Sequence, residues 1–142
     1  MNWLTEWKRE PFHKKEYAKF GAYAQSRAGF CWACGADNRS QPKTYFAPWM
    51  IQRCHIVSKP RLEDRRAVVL LCPVCHFDEV HRKKTLSIEN LLWLKRLFDP
   101  NWFCLEFLQK CSIRRIQQPL ELPAAFVSRF MKTGLTRGKI NA

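Results

Sequence analysis

The sequence predicts an α+β chain, mainly helical, in which a small core of two strands and a helix is stapled by paired cysteines and flanked by added helices. Three observations predict it. Cys31/Cys34 and Cys72/Cys75 repeat one CxxC spacing, with 37 residues between the pairs. Two short strand patterns, at residues 50–56 and 67–71, fall within that interval. Apolar residues spaced by three and four recur on both sides of it.

In chain order, residues 12–27 read as a helix, with Tyr17, Phe20 and Tyr23/Ala24 on one face and Gly21 weakening it. Lys8, Arg9, Lys14, Lys15, Lys19 and Arg27 make this segment basic, as a solvated face or as a phosphate-contacting arm. Phe30-Cys31-Trp32-Ala33-Cys34-Gly35 reads as a knuckle, whose turn needs a residue that tolerates positive φ after the second cysteine. After a polar loop, a strand is centred on residues 50–56, and a charged loop with Pro60 leads to residues 67–71. That second strand is apolar throughout, which predicts burial on both faces.

Pro73 suits the first turn of a helix reaching about residue 83 and carrying His76 and His81. Ser87 is the predicted N-cap of a helix bearing Leu91, Leu92, Leu94, Leu97 and Phe98. Asp99-Pro100 reads as stop and restart, Asp99 capping and Pro100 opening a third helix over residues 101–111. Cys104 and Cys111, seven apart, are expected in the core. Pro119 and Pro123 mark a linker, and residues 124–132 read as a last helix. The predicted organisation is a basic helical arm (1–30), a core (31–84), a C-terminal helical extension (85–134) and a basic tail (135–142).

Of 142 residues, 46% are apolar, enough for a real core. Lys and Arg number 25 against 12 Asp and Glu, a net charge of +13. Such an excess repels itself in a compact state and points to a polyanionic partner, DNA first, with RNA left open. A membrane surface is the weaker option, because no basic amphipathic helix has a clean apolar face. No stretch approaches the roughly 20 apolar residues of a span, and the first residues lack a signal peptide's apolar region. The expectation is therefore a cytoplasmic protein of a bacterial or phage-infected cell. In a reducing compartment, seven cysteines with four in CxxC pairs favour metal over disulfides.

Four thiolates complete a closed tetrahedral Zn²⁺ site, one per chain, from Cys31, Cys34, Cys72 and Cys75. The plainer alternative is buried reduced thiols. Cys72-Pro73-Val74-Cys75-His76 also spells a haem-attachment motif. That reading is set aside: it belongs with export, and it leaves Cys31 and Cys34 unexplained.

Arg53-Cys54-His55-Ile56-Val57 ends a strand, and loop, strand, Cys-x-x-Cys-His and a late His81 follow. As a set, residues 31–81 resemble the HNH endonuclease family, with its ββα-metal fold. The resemblance implies that His55 is the general base and that His76 and His81 are ligands of a divalent catalytic ion (Mg²⁺, Mn²⁺, Ni²⁺ or Zn²⁺). It implies that the four cysteines form the structural zinc site found in many members. The implied activity is a DNA endonuclease or nickase, with a phage, mobile-element or restriction context by analogy. A catalytically silent zinc-knuckle module of the same descent, binding nucleic acid, is the alternative.

The sequence departs from the family pattern at three places. Ala67 stands where the family has an Asn that orients the base, and Asp64, Arg65 or Arg66 are the loop residues that could substitute. Cys54 precedes His55 where a hard ligand is usual; as a ligand it would call for a softer ion. His76 and His81 are five apart, about 140° around an ideal α-helix, with Asp78 and Glu79 as fallback oxygen ligands. Arg53, Lys59, Arg61, Arg65 and Arg66 surround the His55 loop, and Arg82, Lys83 and Lys84 follow the histidine helix; these are the candidate nucleic-acid contacts. Of the six Trp, Trp32 is the candidate for base stacking. His13 reads as a surface residue. The C-terminal helices are left to cover the core, contact DNA or form a homodimer.

Overall fold

The computed structural model describes residue 7 and residues 11–38, 50–57, 61–83 and 86–111. It is a mixed structure of helices around a two-stranded sheet. The strands β1 (Gln52–His55) and β2 (Val68–Leu71) pair antiparallel, with Gln52 opposite Leu71 and His55 opposite Val68. Every residue of β2 is buried, as its unbroken apolar run predicts.

Helix α1 (Pro11–Gln25) opens on a proline, whose fixed φ suits a first turn. It buries Phe20, Gly21 and Ala24 and packs on β1. The basic arm is thus joined to the core through its apolar face, while Lys14, Lys15 and Lys19 lie on the exposed side. Gly21 has a packing reason: a Cβ there would stand 2.7 Å from the Arg53 guanidinium carbon. Arg53 lies against α1, 4.0 Å from the Tyr17 ring centroid, and donates to the Tyr17 carbonyl at 3.0 Å.

The end of α1 is closed by a residue far along the chain. Asn38 donates to the carbonyls of Ala24 and Ser26 (2.8 and 2.7 Å) and accepts from the Ile51 amide (2.9 Å). One side chain so ties the last turn of α1 to the entry of β1. Asn38→Ala leaves the Ala24 carbonyl and the Ile51 amide without this partner, while the Ser26 carbonyl keeps the Gly29 amide; a loss of about 1–3 kcal/mol is expected in urea unfolding, since each orphaned group costs about 1–3 kcal/mol and water recovers part of it.

Helix α2 (Ile88–Phe98) is capped as predicted: Ser87 Oγ accepts from the Asn90 amide at 3.3 Å. Leu91, Leu92 and Leu94 are buried beside β2. Lys95 is fully buried with them, its ammonium 2.7 Å from Asp99 Oδ2 and 2.6 Å from the Arg65 carbonyl. Burial pulls its pKa down to about 8, with Asp99 opposing the fall. Asp99 does not cap the next helix with its side chain. Its carboxylate takes a bidentate pair from Arg65 as well as Lys95. The restart is correspondingly a single 3₁₀ turn, Pro100–Trp102, and helix α3 (Leu105–Cys111) begins only after it. Cys111 is buried in the core and Cys104 packs against it.

Asp64 is a second buried hub. It caps a 3₁₀ turn (Arg65–Ala67) and accepts from Trp7 Nε1 at 2.7 Å and from Arg66 Nε and Nη2 at 3.0 and 2.8 Å. Burial alone would raise its pKa; the Arg66 and Trp7 hydrogen bonds outweigh that and hold the carboxyl below its ordinary range. His13, expected on the surface, packs on Trp7 with Nδ1 3.5 Å from Asp64. Among the described residues, no helix is long and apolar enough to cross a membrane. The linker, last helix and tail predicted beyond residue 111 lie outside the described residues.

Candidate metal centre and active site

The first knuckle is built by its own turn. The Cys31 amide donates to the Ala36 carbonyl and the Gly35 amide to the Cys31 carbonyl, both at 2.8 Å. Gly35 sits at φ 82°, the left-handed region predicted for it. The Trp32 amide donates to the Leu70 carbonyl at 2.9 Å, which fixes the knuckle to β2. The second knuckle follows directly from the end of β2. Its geometry repeats the first: the Cys34 amide meets Cys31 Sγ, and the Cys75 amide meets Cys72 Sγ, each at 3.4 Å.

The four sulfurs lie within 4.8 Å of one another, and Cys34 Sγ and Cys72 Sγ are 3.8 Å apart. Zn–S bonds of about 2.3 Å in a tetrahedron place sulfurs about 3.8 Å apart, so the spacing fits such an ion. The cluster can therefore hold a metal ion such as zinc. The charge balance agrees. Hydrogen bonding from Cys31 lowers the pKa of both Cys34 and Cys72. Cys31 is pushed up, by burial first, and Cys75 by its sulfur neighbours. Four thiolates this close need a cation to ionise together.

The histidines assemble elsewhere. His55 at the end of β1 and His76 and His81 on the following helix line one cavity of about 890 Å³, together with Tyr17, Gln52, Arg53 and Arg61. The helix bearing the two histidines, Cys75–Arg82, is a π-helix. Its i→i+5 hydrogen bonding brings residues five apart close to one face. The His76 and His81 rings accordingly lie 4.9 Å apart, centroid to centroid. The five-residue interval, awkward on an α-helix, is the natural one here. Among the described residues, the four cysteines are the group of three or more metal-ligating side chains gathered within 4.8 Å; the histidines line a wider space.

His55 Nε2 is 2.8 Å from the Leu62 carbonyl. A carbonyl only accepts, so Nε2 carries the proton and Nδ1 keeps its lone pair. Burial, with Arg61 and Arg53 nearby, lowers the His55 pKa against the raising effect of the Leu62 contact. The imidazole is thus neutral at pH 7. The group orienting it is a main-chain carbonyl; of the loop residues considered for that role, Asp64 and Arg66 bind each other, and Arg65 binds Asp99. Ala67 is buried in the core and contributes its carbonyl to the Ile56 amide.

His76 is lowered further, to about 4, by burial first and then by the charges of His81, Arg61 and His55. As pH falls through about 6.5, the unfolded chain takes up a proton that folded His76 refuses until about 4, so stability is lost across that window. Between pH 7 and 5.5, metal-free at this site, the wild type should lose more stability in urea unfolding than His76→Gln.

Several other expectations are corrected. Cys54 is fully buried between Arg53 and His55 on the strand, and it does not line the cavity; burial raises its thiol to about 12. Successive strand residues face opposite ways, so a cysteine next to His55 turns into the core. Glu79 is buried and also lies off the cavity, with Lys83 at 3.7 Å. The side chain of Asp78 lies outside the described part. Arg65 and Arg66 are held by their carboxylates and lie over Phe20 and Trp102, and over Phe107. They are structural cations rather than free phosphate contacts. Trp32 is 3% exposed and stacks on Phe98, so it offers no face to a base.

Of the remaining cations, Arg53 and Arg61 reach the cavity. Arg82 and Lys83 lie exposed at the end of the π-helix. Lys59 and Lys84 lie outside the described residues. Sequence reasoning missed Gln52, whose Oε1 is 2.8 Å from His76 Nδ1, and the role of Leu62, which no side-chain pattern signals. Tyr17 was assigned only to a helix face, yet its ring is tilted 6.4 Å from His55.

No protein-family model, curated protein or solved structure matches the chain.

Proposed function

We propose that the chain is an HNH-type endonuclease or nickase: a ββα-metal core with one structural zinc in its four cysteines and a second divalent ion at His76 and His81, acting on the phosphodiester bonds of DNA. The observation that carries this reading is the convergence of His55, His76 and His81 on one cavity that also holds Arg53 and Arg61. His76 offers a neutral imidazole to an ion at pH 7, in keeping with its low pKa, and the His81 ring lies 4.9 Å from it. A divalent ion there would supply stabilisation of the developing phosphorane charge and of the leaving oxygen.

The chain's own residues supply the rest. His55 Nδ1, unprotonated and held by the Leu62 contact, accepts a proton from an attacking water. Arg61 is exposed on the cavity, and Arg53 is fixed by Tyr17; both suit a phosphate. The +13 charge draws the polyanion in.

The test is ion-dependent cleavage. With zinc left in the cysteine site, nicking of plasmid should require an added divalent ion, stop when that ion is dialysed away, and need more ion in His76→Ala or His81→Ala. One observation favours the second reading, a silent nucleic-acid-binding module of the same descent: Ala67 stands at the family's Asn position. Binding without cleavage in every ion would select it.

A further inference from the structure

We propose that Gln52 is a positioning residue that fixes His76 with its proton on Nδ1, leaving Nε2 as the nitrogen available to a divalent ion; this rests on reading His76 as a metal ligand. The placement follows from the sheet. Gln52 is the first residue of β1 and pairs with Leu71, the last of β2. The chain turns there into the second knuckle, and the His76 amide donates to the Cys72 carbonyl at 2.9 Å. The start of β1 is thereby set beside the first turn of the π-helix, and Gln52 Oε1 meets His76 Nδ1 at 2.8 Å.

The chemistry gives this contact a consequence. An amide oxygen accepts only, so it demands a proton on Nδ1. Histidine free in water favours the proton on Nε2, which would block that nitrogen as a ligand. Ligand imidazoles are commonly held by such a second partner, and losing it costs about 10–100-fold in metal affinity. Phe77 covers one face of the ring, stacked at 5.0 Å and 14°, so the imidazole is held in plane as well as in protonation. His55 is set in the opposite sense, with its proton on Nε2. The two imidazoles, both lining one cavity, are therefore left with different unprotonated nitrogens, Nδ1 on His55 and Nε2 on His76.

The test uses the full chain with zinc in its cysteine site. Long-range ¹H–¹⁵N spectra at pH 7.5, without other metal, should show His76 protonated on Nδ1, its signals assigned by their loss in His76→Ala. Gln52→Leu should move that proton to Nε2 and weaken Ni²⁺ binding, followed by calorimetry, about tenfold or more. Gln52→Glu, which can only accept, should keep the wild-type proton position and bind Ni²⁺ at least as tightly. An Nε2 proton on His76 in the wild type would overturn the proposal and would mean that the Gln52 amide donates. Unchanged tautomer and affinity in Gln52→Leu would overturn it as well. Ni²⁺ binding absent from the wild type, or unaffected by His76→Ala, would instead overturn the metal-ligand reading, with the tautomer still read from the spectra.

Discussion

Removing the zinc proposed for the four cysteines should unfold this protein. Cys31 and Cys34 belong to a turn that has no strand or helix of its own, while Cys72 and Cys75 connect β2 to the π-helix. An ion held by the four sulfurs would link them, beside the Trp32 to Leu70 hydrogen bond and the packing of Trp32 on Phe20 and Phe98. Structural zinc in small domains contributes about 10–16 kcal/mol of apparent binding free energy, comparable to or above the about 5–15 kcal/mol by which whole domains are stable. A strong chelator at pH 7 should therefore abolish the cooperative thermal transition. Cys31→Ser or Cys72→Ser should give protein that precipitates or lacks that transition, and metal analysis of the wild type should give one tightly held zinc per chain. A chelated protein with an unchanged melting temperature would refute the metal centre.

The second large effect is at His55. A positioned general base contributes about 10²–10⁴ in rate, and His55→Ala should lose that much in single-turnover cleavage while DNA affinity changes little. Folding should be spared, since the side chain contacts the Leu62 carbonyl at the cavity edge and is not part of the apolar core. His55→Ala that cuts at the wild-type rate would remove His55 from the mechanism.

Which features were legible in the sequence follows from how local their causes are. The knuckles were, because CxxC spacing and Gly35 are set within one turn. β2 and the Ser87 cap were legible for the same reason: an apolar run and a capping hydroxyl act on their immediate neighbours. The convergence of His55 and His76 was legible through the family resemblance alone, since 21 positions separate them.

The remainder depends on contacts that spacing does not encode. A π-helix differs from an α-helix by one residue in its hydrogen-bond step, and nothing in Cys75–Arg82 announces the difference except the interval between His76 and His81. Arg65 and Arg66 look like any loop cations until Asp99 and Asp64 are seen to claim them. Lys95 gave a faint signal: it falls four residues after Leu91 on the apolar face and four before Asp99, an i,i+4 pair that can be buried together. Gln52, Asn38 and the Leu62 carbonyl act across 24, 12 to 14, and 7 residues of sequence separation, and so needed the fold.

The most direct measurement is supercoiled plasmid incubated with wild-type protein and with His55→Ala, each in Mg²⁺, Mn²⁺, Ni²⁺ and Zn²⁺, with gel-shift binding in parallel. Open-circular or linear DNA is expected from the wild type in at least one ion and none without an added ion, with retained binding but little cleavage by His55→Ala. Binding without cleavage in all four ions, or equal cleavage by the two proteins, would contradict the proposed mechanism.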